Sequence, residues 1–191
     1  MKIAILGWGS LLWDPRPNFD LHHGPWQPNG PTLPIEFSRI SKTRNGALTL
    51  VIDHQFGEPC VTQFSISARR NPDDAICDLR CREGTTPANV GYYFADQTRR
   101  QARSEATLAA VGPWARKESI DVVVWTDLGS NFQEKSSAKE AFSVANAIVH
   151  LQLLPSEWKA GAAEYIRHSP VLVDTPLRRA VQTEPWFQVA S

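Results

Sequence analysis

Two stretches of this sequence carry residue types and spacings that could do chemistry. The first is Gly7-Trp8-Gly9-Ser10-Leu11, directly after the apolar run Ile3-Ala4-Ile5-Leu6. Its glycines permit a tight turn whose backbone N–H groups approach the anionic group of a ligand with no side chain in the way. The turn does not suit a dinucleotide. The Gly-x-Gly-x-x-Gly fingerprint wants glycine at position 12, which is Leu12, and a helix, which Asp14-Pro15-Arg16-Pro17 forbids within one turn. It also lacks the Gly-Lys-Ser/Thr ending of a phosphate loop. A plain structural turn after an edge strand is the competing interpretation.

The second stretch ends at Glu83. Asn71-Pro72-Asp73-Asp74 has the form of an N-cap, a proline at the first helical position and two acids in the first turn. A helix from there to about Glu83 would stop at Gly84. On it Ile76, Leu79 and Glu83 share one face, so the carboxylate sits at the end of a buried stripe. Burial and the helix C-terminus both disfavour negative charge there, which is expected to raise the pKa toward that of a general acid or base. The alternative is a last-turn glutamate that swings to solvent or pairs with Arg80 or Arg82.

Other candidates are weaker. Arg39 and Arg44 flank a strand-to-turn segment, and either could clamp a carboxylate. Cys77 and Cys81 lie one helical turn apart, but no further ligand has metal-site spacing, and His22-His23 fails for the same reason. No metal is expected. Ser136-Ser137-Ala138-Lys139 matches Ser-x-x-Lys, yet Ser137 to Glu140 already fits a capping box. Ser10 as a hydrolytic nucleophile would require a histidine partner, and none is suggestively placed.

These residues must be positioned by elements. Residues 3–6, 33–41, 47–53, 60–67 and 120–126 are expected as strands, with Asn45-Gly46 a turn signal before the third. Helices are expected over 71–83, from Ser137, and from Ser156 to about His168. Residues 14–34, with six prolines and two glycines, are expected as loop lying over the body of the domain. The pattern is α+β, and a chain of 191 residues makes one domain, 1–191, the default.

The 20 basic residues balance the 20 acidic ones, which argues against a broad nucleic-acid surface. Three cysteines make no disulfide framework, and no apolar run approaches the ~20 residues of a membrane helix. The apolar start to Trp13 lacks a small-x-small cleavage site. A cytoplasmic protein is expected, without membrane or nucleic-acid partners.

The two stretches together resemble a known family. Gly7-Trp8-Gly9-Ser10-Leu11-Leu12-Trp13-Asp14-Pro15 is similar to the glycine-rich loop of γ-glutamylcyclotransferase-like proteins, especially their ChaC branch. Asp78-Leu79-Arg80-Cys81-Arg82-Glu83-Gly84 is similar to the segment holding that family's catalytic glutamate. Phe37 to Gly46 resembles its arginine-containing strand and turn. The match covers about residues 1–126, and the helices from about 137 only loosely. Trp8 stands where the family usually has Tyr or Phe.

The resemblance implies a small mixed β-barrel surrounded by helices. It also implies a cofactor-independent enzyme that releases 5-oxoproline from a small γ-glutamyl peptide or amine. Glu83 would be the general acid/base, and Gly7, Trp8, Gly9, Ser10, Leu11 and Arg44 would bind substrate. A non-catalytic ligand-binding or interaction module on the same fold is the other expectation.

Overall fold

The computed structural model describes residues 1–189. In chain order its strands are β1 (Ile3–Gly7), β2 (Thr32–Ile40), β3 (Leu48–Ile52), β4 (Glu58–Val61), β5 (Gln63–Ile66), β6 (Val90–Phe94), β7 (Arg100–Gln101) and β8 (Val122–Thr126). The helices are α1 (Pro17–Asp20), α2 (Pro72–Glu83), α3 (Glu105–Lys117), α4 (Phe132–Lys135), α5 (Val144–Gln152), α6 (Ser156–His168), α7 (Pro176–Val181) and α8 (Pro185–Val189). Short 3-10 turns span Ser10–Leu12 and Pro87–Asn89.

The chain is α+β, as its sequence suggests. Its strands form a five-stranded sheet ordered β5-β1-β8-β6-β7 and a three-stranded sheet ordered β3-β2-β4. Among the described residues no barrel closes, which corrects the expectation of one. Thr62 shows how the strands separate. Residues 60–67, expected as one strand, break there, because the Thr62 N–H and hydroxyl both bond to the Pro31 carbonyl. The halves, β4 and β5, then belong to different sheets. The chain divides into two compact units, residues 1–33 with 61–128, and residues 34–60 with those from 129 onward.

The first unit holds the larger sheet. β1 and β8 pair in parallel at its centre and are buried along almost their whole length, which is why both read as unbroken apolar runs. α2 is built as its sequence dictates. The Asn71 side chain accepts from the Asp73 N–H, Pro72 opens the helix, and Gly84 closes it at φ 56°, in the left-handed region. Its Ala75 and Leu79 pack into a core with Ile3, Ile5, Val122 and Val124, joined by Val90 and Phe94 from β6.

The Pro-rich segment is an ordered cover for a sheet edge. The N–H groups of Gly24, Gln27 and Gly30 donate to the carbonyls of Ile66, Phe64 and Thr62. Each donor directly precedes a proline. The prolines, having no N–H, break the run into isolated bonds, and this edge cannot template further pairing.

The second unit carries the smaller sheet and α4 to α8. The helix expected from Ser137 does not begin there. Instead Ser143 caps α5, its side chain accepting from the Asn146 N–H, and Lys139 takes a left-handed φ of 56°. Packing decides this. Phe142 is buried between the rings of Phe56 and Phe132, at centroid distances of 5.3 and 5.4 Å, and that draws residues 136–143 out of helical geometry.

Glu36 is wholly buried on β2 and receives the N–H groups of Phe37 and of Leu177, in the first turn of α7. Burial pushes its carboxyl above the ordinary value of 4.5, and its hydrogen bonds only partly offset that. A raised folded-state pKa contributes stability that is complete below 4.5 and is lost as pH rises through the folded value. Urea midpoints of the native chain are therefore expected to fall with increasing pH across that window. Those of Glu36→Gln should show no such fall, and equal slopes for both proteins would contradict the assignment.

Candidate functional site

The glycine-rich turn and α2 lie in the same unit. β1 ends at Gly7, where a Cβ would stand 2.8 Å from the Trp26 ring and 2.9 Å from Leu12, so only glycine fits beneath that tryptophan. Trp8 is buried. The chain then turns through Ser10–Leu12, with the N–H groups of Leu12 and Asp14 donating to the carbonyls of Gly9 and Ser10. Among the described residues, no backbone carbonyl accepts a hydrogen bond from the N–H of Ser10 or Leu11. These are the unsatisfied donors that any helical turn leaves at its start. Leu11 itself packs on the core shared with α2.

Glu83 closes the buried stripe that begins with Ala75 and Leu79, and its side chain is 18% exposed. The residue that joins it to the turn is its neighbour. Arg82 is more deeply buried, at 6% exposure, and its Nη2 donates to the Ser10 carbonyl at 3.2 Å and the Asp14 carbonyl at 3.0 Å. The Asp14 carboxylate lies 3.8 Å from the same nitrogen, and the Glu83 carboxylate 3.8 Å from Nη1. One guanidinium thus binds the last turn of α2 to a loop about seventy residues earlier in the chain, and sets a positive charge beside the carboxylate.

The sequence motifs single out Arg82 only as a partner for Glu83. The signal was present in its spacing. From Ala75, positions i+4, i+7 and i+8 are Leu79, Arg82 and Glu83, one helical face. A basic residue on a buried face demands acceptors, and the turn's carbonyls supply them. Arg82→Ala is expected to cost about 2 kcal/mol of stability, read from the urea midpoint, because hydrogen bonds from a charged donor are each worth that order.

The other candidates have structural partners. Arg44 belongs to the second unit, where its guanidinium lies 4.9 Å over the Tyr165 ring. Arg39 in the same unit donates to the Gly129 carbonyl at 2.7 Å. The Asp78 carboxylate accepts two bonds from Arg69, at 2.7 and 3.0 Å, which ties α2 to the chain after β5. His23 is held by the Gly24 carbonyl and the Ser65 hydroxyl and packs between the Phe19 and Trp26 rings.

Among the described residues no three His, Cys, Asp or Glu side chains converge as a metal site, and no helix is long and apolar enough to cross a membrane. The second unit holds a cavity of about 260 Å³ lined by Phe56, Phe132 and Phe142 with Asp53 and Glu134. None of the residues expected to form the site from sequence lines it. No family model matches this chain, no curated protein matches it, and no solved structure matches it.

Proposed function

We propose that this protein is a γ-glutamylcyclotransferase-like enzyme that releases 5-oxoproline from a small γ-glutamyl peptide or amine without a cofactor. One observation carries this reading. The two motifs that could do chemistry meet through Arg82, which joins the carbonyl side of the Ser10 turn to the helix end bearing Glu83.

The turn leaves the Ser10 and Leu11 N–H groups available for a developing oxyanion on the γ-carbonyl. Glu83 takes a proton from the substrate's α-ammonium, and the freed amine attacks the γ-carbonyl carbon. A new C–N bond closes the five-membered ring, the old C–N bond breaks as Glu83 returns the proton to the departing nitrogen, and the second proton shed by the ring nitrogen leaves with the departing amine as its ammonium. Ring closure needs proximity and one base, and no nucleophilic side chain.

The test is incubation of the purified chain with glutathione and a panel of γ-glutamyl dipeptides and amines, with 5-oxoproline read by mass spectrometry. Release from at least one member is the expected result. Binding of a γ-glutamyl compound with no turnover would replace this reading with that of a non-catalytic binding module.

A further inference from the structure

α2 carries a second cluster, on the face that the proposed reaction does not use. Cys77 and Cys81 are both exposed and both free thiols, and their sulfurs lie 4.0 Å apart across one helical turn. Between them in sequence is Arg80, whose Nη2 is 3.5 Å from the Cys77 sulfur. The nearest acid on the helix, Asp78, is taken up by Arg69.

We propose that Cys77 and Cys81 form a chelating site for a single soft, two-coordinate d10 cation, of which Cu(I) is the biological example. Three features argue for this class. Thiolates select soft ions over the hard cations that prefer oxygen. Zinc wants four ligands, and no third His, Cys, Asp or Glu joins these two, whereas a linear ion is satisfied by two sulfurs. A metal–thiolate bond is ~2.3 Å long. Two such bonds in line span only slightly more than the observed 4.0 Å, so side-chain rotation alone admits the ion.

A disulfide fits this pair less well. Helical i and i+4 positions hold their Cβ atoms ~5–6 Å apart, and a disulfide needs ~3.5–4.5 Å.

The binding step balances. One Cu(I) and two thiols give a bis-thiolate complex of charge −1 and release two protons. The Arg80 guanidinium lies where it offsets that charge.

The test uses the intact reduced chain titrated anaerobically with Cu(I) against a chromogenic Cu(I) chelator. One Cu(I) per monomer is expected, with both exposed thiols protected from alkylation. C77S and C81S should each weaken binding about 10²–10⁴-fold, since each loses the intramolecular second ligand. R80Q should weaken it about 10-fold, as loss of an outer-shell partner does. The buried Cys60 serves as control, and C60S should keep full affinity. Circular dichroism verifies the fold of each variant. Two ions per chain, one ion bridging two chains, or unchanged affinity in either single serine variant would overturn the proposal. None of these outcomes depends on whether the chain releases 5-oxoproline.

Discussion

Replacing Glu83 by glutamine is expected to lower the rate of 5-oxoproline release about 10²–10⁴-fold, the contribution of a positioned general acid/base. Glutamine keeps the size and hydrogen-bonding reach of the side chain and removes only its capacity to carry a proton from one nitrogen to the other. KM for the γ-glutamyl compound should change less than kcat, because the γ-carbonyl is assigned to the Ser10 and Leu11 N–H groups and only the α-ammonium to Glu83. Stability should fall by about 1–3 kcal/mol, because Arg82 is only 6% exposed and loses one of the two carboxylates beside it. The fold should survive, since Arg82 keeps its bonds to the Ser10 and Asp14 carbonyls. Steady-state kinetics with a urea melt separates the two effects. Retention of rate by a folded Glu83→Gln protein would remove Glu83 from the mechanism.

The largest effect on folding is expected from Gly91→Ala. Gly91 on β6 pairs with Trp125 on β8, and the indole of that fully buried tryptophan folds over its partner strand. A Cβ at position 91 would stand 2.1 Å from Cε2 and 2.3 Å from Nε1 of the ring. The ring is fully buried and is tethered by its Nε1 bond to the Asp127 carboxylate. Overpacking of a closed core commonly costs 1–3 kcal/mol, and this contact is severe enough to predict about 3 kcal/mol or more, measured by thermal or urea unfolding. A loss below about 1 kcal/mol would show that β6 and β8 yield more readily than their burial implies.

Several tryptophans acquire roles once the fold is described. Trp26 covers Gly7, so the Pro-rich segment helps to shape the glycine-rich turn. Trp114 bonds to the Asn29 carbonyl at 2.9 Å and meets Phe64 edge-on, fastening α3 to the same segment and to β5. α3 itself is not marked by the local sequence pattern. Gly112 and Pro113 both count against a helix there, and burial of Leu108, Val111 and Trp114 outweighs them. β6 is similarly obscure, because the short stretch Val90 to Phe94 takes its character from the neighbours β8 and β7 that pair with it.

What this sequence determines by itself is local. Asn71, Pro72 and Gly84 set both ends of α2 through a cap, a missing N–H and a left-handed φ, and each acts within a few residues of itself. The apolar runs at Ile3–Leu6 and Val122–Thr126 mark the central strands, and the spacing of Leu79 and Glu83 places the carboxylate at the end of a buried face. The tertiary structure decides what is joined to what. It divides residues 60–67 between two sheets at Thr62, and it delays α5 to Ser143 because Phe142 gains more from two aromatic neighbours than from a helical turn. It also spends the Arg82 charge on carbonyls of a distant loop. In each case the deciding energy comes from a burial or hydrogen bond between residues far apart in the chain, and no local pattern records it.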